Sequence, residues 1–540
     1  MNFKKNIEQL LFYLTIFAPM FVFMQHLGGF ALDIPQNIIT WGFVGIFISL
    51  ILAKIINRGE VLISKNTMTF AYFVLLVVAT YILNHGLSLD GIMTMLGLFL
   101  SFLVFLSFQQ QKLNLKNILF FLIFTAIAQT CIGYLQLFNL TFITKYLYIS
   151  ELGMTGLFGQ PNMFAVFLAS AVAALYILFR EGYLNKKYFY FGILFLNTAI
   201  FSSNSRAGML ASIIIAIFIL FIHKRERQFI LLFLSVYVIS IINFNVFSLL
   251  TDNIDNNKIM FGDPVRLDLY TMAFKVFINN WMTGIGYDNF AINFFYKIRE
   301  IGTNHPYLLN LEFRHPHNEI LYWALMGGVI NLFGLVVLLG KFTYDNFTNV
   351  NIRYLLLIPI LISLCFEHPF INSTTMLVLF MLFICLTENK TTYKKINFDF
   401  HLNIKRILFI SLSAFSILSV YVSWNGINAI QYSVHLHQNQ HNIASLKTVE
   451  NIGVPLINRE MLNDKINQTL FNFAVLTRDP QVIEKSLSYW EQRAEKYPKQ
   501  SFLSKIYHLY YLQQNKEKMI EVEDKLGHLF NKKFEAVISE

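Results

Sequence analysis

Charge is scarce in this chain. Lys, Arg, Asp and Glu together make up 14% of the 540 residues, against roughly 25% in an ordinary soluble domain. That deficit excludes a conventional soluble fold. Cysteine is rarer still: Cys131, Cys365 and Cys385 all sit inside apolar runs, so they read as small buried hydrophobes and no disulfide framework exists. A signal-peptide cleavage site of small residues is missing after the opening "LLFYLTIFAPMFVFM", which is therefore expected to be a retained anchor. No phosphate-gripping Gly-rich loop, zinc spacing or nucleotide fingerprint stands out. "GIGYDNF" holds Gly284 and Gly286, but a Gly-x-Gly pair with no strand before it is weak evidence for a nucleotide. The reading predicts no cofactor, no metal and no nucleic acid.

What is present is hydrocarbon. The sequence is 55% hydrophobic and contains 56 phenylalanines. Apolar stretches of about 20 residues, long enough to cross roughly 30 Å of lipid, recur along the first four-fifths. Thirteen spans are expected, among them 162–179, 207–222, 319–340, 354–370 and 407–423. The segments between them divide sharply by charge. Those on one side carry 20 Lys and Arg, while the short loops on the other hold only Lys145 and Arg206. Basic residues stay cytoplasmic, so the N-terminus is placed inside and the C-terminus outside. The net charge of +10 is then largely a topological signal facing anionic lipid headgroups, and not affinity for nucleic acid.

The expected organisation is an all-α polytopic inner-membrane protein. Spans one to nine fill 1–250, a long periplasmic loop with a surface helix fills 251–318, spans ten to thirteen fill 319–423, and a periplasmic helical domain fills 424–540. This last segment carries 14 Lys and Arg against 13 Asp and Glu. "FLSKIYHLYY" there puts Leu503, Ile506, Tyr507, Tyr510 and Tyr511 on one helical face. "TRDPQ" and "KYPKQ" break it into antiparallel helices, as in tetratricopeptide-like pairs. It serves either as a solubilising tail or as a recognition module.

Polar clusters on a face nearly stripped of charge are informative. "GLFGQPNMF" brings Gln160 and Asn162 to the interface, either as helix caps or as ligand-facing amides. "SSNSRAGM" presents Arg206, which either snorkels or meets a ligand. "FGDPVRLDLYTMAFKVFINNW" begins a helix with Asp263 as N-cap and Pro264 at its first position. Leu267, Tyr270, Phe274, Phe277 and Trp281 then form an apolar stripe suited to the membrane surface. Arg266 falls in the first turn, where free N–H groups already attract anions, and a guanidinium fork there can grip two phosphate oxygens; otherwise it is an ordinary surface arginine. "FRHPHNEI" gathers Arg314, His315, His317, Asn318 and Glu319 at the mouth of span ten. Histidine titrates near neutrality and suits a general base, although interfacial hydrogen bonding, or zinc held by His305, His315, His317 and Glu319, would also use these residues. "CFEHPFINS" adds Glu367 and His368.

The order of "GLFGQPN", "NSRAG", "DPVRLDLYTMAFKVFINNWMTGIGYDNF", "HPHNEILYWALMGG" and "EHPF" resembles the bacterial family of O-antigen ligases, O-antigen polymerases and O-linked protein oligosaccharyltransferases. The similarity spans about 150–385. "GQPN" and the Glu-x-Pro element resemble the protein-glycosylating branch in particular. That branch commonly shows Tyr where His368 stands, so no hydroxyl role carries over to this position.

The resemblance implies an all-helical membrane glycosyltransferase that takes a glycan from undecaprenyl diphosphate on the periplasmic side and passes it to an acceptor hydroxyl. His317 would be the catalytic base, and Arg206, Arg266 and Arg314 would hold the diphosphate. Gln160, Asn162, Asn318, Glu319, Glu367 and His368 would orient groups or meet the acceptor, a Ser or Thr of a protein such as pilin. A ligase or polymerase of lipopolysaccharide or surface polysaccharide is the alternative within the family. A transporter is the alternative outside it, weakened because transporters place ionisable groups at mid-depth and show repeats.

Overall fold

The computed structural model describes residues 2–29, 31–84, 89–138, 153–251, 264–287, 289–301, 313, 315–347, 351–439, 442, 444–446, 455 and 457–530. Asp263, His305, Arg314 and Lys145 lie outside the described residues.

The fold is all-α and polytopic. Its helices are α1 (Asn2–Phe17), α2 (Pro35–Arg58), α3 (Lys65–Leu83), α4 (Leu89–Gln109), α5 (Leu115–Leu137), α6 (Pro161–Arg180), α7 (Lys186–Ser202), α8 (Arg206–Ile222), α9 (Arg227–Thr251), α10 (Pro264–Asn279) and α11 (Phe290–Ile301). They continue with α12 (Glu319–Phe347), α13 (Ile358–Leu364), α14 (Pro369–Asn372), α15 (Thr374–Thr387), α16 (Leu402–Gln438), α17 (Arg459–Thr477), α18 (Pro480–Lys496), α19 (Gln500–Leu512) and α20 (Lys516–Phe530). Seven of these (α2 to α6, α12 and α16) are long and apolar enough to cross a membrane. Shorter apolar helices cover Glu8–Phe21, Arg206–Ile222, Arg227–Asn243 and Thr374–Thr387.

Small residues decide the packing. α6 is the most enclosed span, with 89% of its apolar window buried. Ala165, Ala169, Ala173 and Ala174 are fully buried along it. Gly208 of α8 lies so close that a Cβ there would sit 2.3 Å from that of Ala165. In hydrocarbon, helices gain little from hiding apolar surface, so close backbone approach at small residues does the work. α16 meets α2 in the same way: Ser419 and Ser423 fill the spaces left by Gly45 and Gly42.

Two departures from the expected spans shape the site. Span eleven, expected over 354–370, is broken into a 3-10 turn (Ile352–Leu356), α13, an open turn at Cys365–His368, and α14. Pro369 is the cause, since its ring disfavours helical backbone at the preceding residue; His368 sits at φ −114°, ψ 71°. The second departure is in α12, which is interrupted at Gly327 (φ −128°, ψ 18°) and Gly328 (φ 66°, ψ −158°). The loop after α10 docks onto this kink. Ile285 donates its amide to the Leu325 carbonyl (2.8 Å), Gly286 to Met326 (3.1 Å), and Val329 to Trp281 (2.7 Å). A Cβ at Gly284 would lie 2.4 Å from the Leu325 carbonyl oxygen, and one at Gly328 2.2 Å from that of Met282. The Gly-x-Gly pair thus serves backbone docking.

α10 buries one face against the protein and leaves much of the expected stripe outward. Leu269, Met272, Ala273 and Val276 are buried, whereas Leu267, Phe274 and Trp281 are exposed and Tyr270 is half-buried. At the basic end, strands Glu60–Ile63 and Lys394–Asn397 pair antiparallel, and Glu388 accepts hydrogen bonds from Ser64 (2.7 Å), Asn66 (2.8 Å) and Tyr393 (2.6 Å).

The helix expected over 407–423 runs on to Gln438, so 424–438 prolongs α16. α17 to α20 follow as short helices joined by tight turns. Arg493 of α18 ties back to α17 through both oxygens of Asp464 (3.1 and 3.0 Å). The inward face of α19 is Phe502, Leu503, Ile506, Leu509 and Tyr510, while Tyr511 is exposed. Phe295 of α11 joins this same apolar cluster.

Candidate active site

Four consecutive residues in the broken span, Cys365 to His368, all bond to the end of α12 or to its neighbours. The Cys365 carbonyl accepts from the Asn318 side chain (2.7 Å). The Phe366 carbonyl accepts from Arg266 Nη1 (3.3 Å). The Glu367 carbonyl accepts the Glu319 amide (3.2 Å). His368 Nε2 accepts the Asn318 amide (3.0 Å).

The Glu367 carboxylate is the hub. Its side chain is only 5% exposed. Asn162 Nδ2 donates to Oε1 at 2.6 Å and Arg266 Nη2 to the same oxygen at 2.7 Å. Oε2 faces His317 Nδ1 at 3.4 Å, a long hydrogen bond.

His317 is a third exposed. With Nδ1–H directed at Glu367, Nε2 is left as the lone-pair nitrogen, and nothing among the described residues hydrogen-bonds it. His317 also has left-handed backbone (φ 50°), a conformation that costs a non-glycine residue roughly 1–2 kcal/mol. His315 is buried and stacks edge-on between His317 (4.5 Å) and His368 (4.3 Å).

Arg266 stands in the first turn of α10, as expected from Pro264 at the first helical position. Its side chain is 31% exposed. Arg206 is the first residue of α8, after Ser205 caps the helix by accepting the Gly208 amide (3.1 Å). It is exposed and makes no hydrogen bond or ion pair among the described residues; its charge is felt at the Tyr270 hydroxyl, which Arg266 also faces.

Several sequence expectations land elsewhere. Gln160 occupies the N-cap position of α6 but makes no cap bond; its amide donates to the Gly29 carbonyl (3.2 Å). Asn162 joins Glu367. Asn318 caps α12 by accepting the Leu321 amide (2.9 Å). Glu319 turns away from His317: its Oε1 accepts Trp323 Nε1 (3.0 Å) and its Oε2 lies 3.5 Å from His368 Nδ1. The carboxylate that orients His317 is therefore Glu367. Glu319 and His368 are both fully buried. Tyr270 was read only as part of an apolar stripe, yet its hydroxyl donates to the His317 carbonyl (2.9 Å). Nothing in the sequence distinguishes it from its aromatic neighbours. Among the described residues no three His, Cys, Asp or Glu side chains converge as metal ligands.

Residues 190–338, which carry Arg206, Arg266, His317 and Glu319, match a family model described as O-antigen ligase. Residues 352–538, which carry Glu367 and His368, match one described as the C-terminal part of virulence factor membrane-bound polymerases. No curated protein matches the chain. Two adjoining matches divide the site between them, one supplying the arginines and the imidazole, the other the carboxylate that joins them. The chain thus contains a domain of O-antigen ligase type followed by one of the membrane-polymerase C-terminal type, consistent with the O-antigen ligase family and with a membrane glycan-transfer enzyme.

Proposed function

We propose that the protein is an O-oligosaccharyltransferase that moves a glycan from undecaprenyl diphosphate to a Ser or Thr hydroxyl of a periplasmic protein such as pilin. The observation that carries this reading is the His317–Glu367–Arg266 constellation with Arg206 beside it. A serine hydroxyl is a poor nucleophile at neutral pH. His317 Nε2 takes its proton as the oxygen attacks the anomeric carbon. The anomeric C–O bond to the diphosphate breaks, and the electron pair leaves with undecaprenyl diphosphate. Glu367 fixes the tautomer and stabilises the imidazolium. Arg206 and Arg266 balance the charge that develops on the leaving group; Arg314 would add to them. In this reading the site faces the periplasm of the inner membrane, with the N-terminus cytoplasmic and the C-terminus periplasmic.

A ligase or polymerase of surface polysaccharide is the second reading, favoured by the polymerase description matched over 352–538. Deleting the gene separates the two. Loss of glycan mass from pilin with intact polysaccharide banding supports protein acceptors. Unshifted pilin beside collapsed banding refutes them. Reconstituting the pure protein with lipid-linked glycan and an acceptor peptide tests transfer itself, since a transporter yields no glycopeptide.

A further inference from the structure

Every polar atom of one peptide group in the site is held by a side chain from a distant element. The carbonyl of His317 accepts the Tyr270 hydroxyl of α10 at 2.9 Å. The amide of Asn318, on the other side of the same peptide bond, donates to His368 Nε2 from the broken span at 3.0 Å. This peptide directly follows the left-handed His317. A left-handed non-glycine residue relaxes unless its surroundings over-determine it. Two bonds on the neighbouring peptide plane supply that constraint. Holding this plane anchors the Cα–C bond of His317 and so narrows the directions its Cβ and ring can take.

We propose that Tyr270 and His368 are positioning residues: they clamp the His317–Asn318 peptide and thereby aim the His317 imidazole. The His368 arm works in only one tautomer. To accept the Asn318 amide, Nε2 must carry a lone pair, so the proton sits on Nδ1. Glu319 Oε2 lies 3.5 Å from Nδ1 without forming a hydrogen bond, so it favours that tautomer through its charge alone, and Glu319 is itself held by Trp323 through Oε1 at 3.0 Å. The hydrogen-bonded arm runs from His368 to the Asn318 amide and so to His317. The rings are braced as well, His368 lying edge-on to Tyr322 at 5.5 Å and to His315 at 4.3 Å. The three histidines then hold different offices: His317 faces outward, His315 spaces the rings, and His368 holds backbone. Of the three, only His317 would touch substrate.

The kinetic part of the test rests on His317 being the base; the structural part does not. Tyr270→Phe removes a single hydroxyl, and His368→Leu removes the acceptor nitrogen. Each should lower kcat for glycan transfer about 10- to 100-fold, on the scale of a misplaced catalytic group, with KM for the lipid-linked donor changed less than about threefold. His368→Gln, whose side-chain oxygen can still accept the Asn318 amide, should recover most of the loss. A loss that appears in donor KM, or equal losses in the Leu and Gln variants, overturns the proposal. Independently of any activity, a high-resolution structure of Tyr270→Phe/His368→Gln and of Tyr270→Phe/His368→Leu should show φ of residue 317 positive in the first and negative in the second. Left-handed His317 persisting with both arms removed overturns the clamp. Absence of transfer by the wild-type protein would instead refute the functional reading and leave the structural test standing.

Discussion

Replacing Glu367 with Gln preserves the shape of the hub and removes one charge. At 3.4 Å from Nδ1, an ionised carboxylate stabilises a full imidazolium at His317 by about 5 kcal/mol, using an effective dielectric of about 20. A proton half transferred in the transition state realises roughly half of that, and solvent at the partly open ring trims it further, to about 2 kcal/mol. The tautomer adds a second effect. If the Gln amide nitrogen faces Nδ1, the ring proton moves to Nε2 and the lone pair no longer points at the acceptor. Together these predict a 10²- to 10⁴-fold fall in kcat, the usual range for an impaired base. Donor KM should not rise, because Arg266 loses its carboxylate partner and becomes more available to the diphosphate. The assay is single-turnover glycopeptide formation by purified protein in lipid nanodiscs, with donor titrated separately. Transfer by Glu367→Gln within threefold of wild type would refute the claim that Glu367 orients His317.

Three further outcomes follow from the same reading. His317→Ala should reach the membrane and bind donor yet transfer at least about 10²-fold more slowly, while His315→Ala should be milder; near wild-type transfer by the first removes His317 as base. Arg206→Lys and Arg266→Lys should each fall short of full activity in the transfer assay, because an ammonium lacks the bidentate fork, and unchanged donor affinity in both Arg→Ala variants removes them from the donor site. A reporter active only in the periplasm should work when fused after Glu540 and stay silent near Lys395, and the reverse pattern overturns the orientation.

Of the thirteen spans expected, length and hydropathy made the seven long ones legible, because hydrocarbon thickness imposes a run length that folding cannot disguise. Pro264 and Arg266 were legible for a local reason, since N-terminal helix positions have their own chemistry. Glu367 was visible only as one residue in a minor cluster. Its role as hub depends on Asn162, Arg266 and His317, residues 205, 101 and 50 positions away, and no local pattern encodes such convergence. Glu319, adjacent to the His-Asn pair, was the natural candidate to orient the base. It lost that role because the first turn of α12 points it inward at Trp323, four residues on. The helical run of α16 past 424 was hidden as well, since apolar periodicity fades where a helix leaves lipid although its backbone continues.

The glycine kink in α12 has a consequence for how such proteins diversify. The loop that follows α10, the helix bearing Arg266, is stapled to the middle of α12, the helix that follows His317, by the main-chain bonds of Ile285, Gly286 and Val329. Main-chain staples ask almost nothing of side-chain identity beyond the glycines that permit the approach. The spacing of Arg266 and His317, the proposed donor seat and base, is thus insulated from substitutions on the surrounding surfaces. Acceptor-facing loops can drift, lengthen or be exchanged while the spacing of the reacting groups is inherited unchanged, so one scaffold can serve acceptors of very different shape.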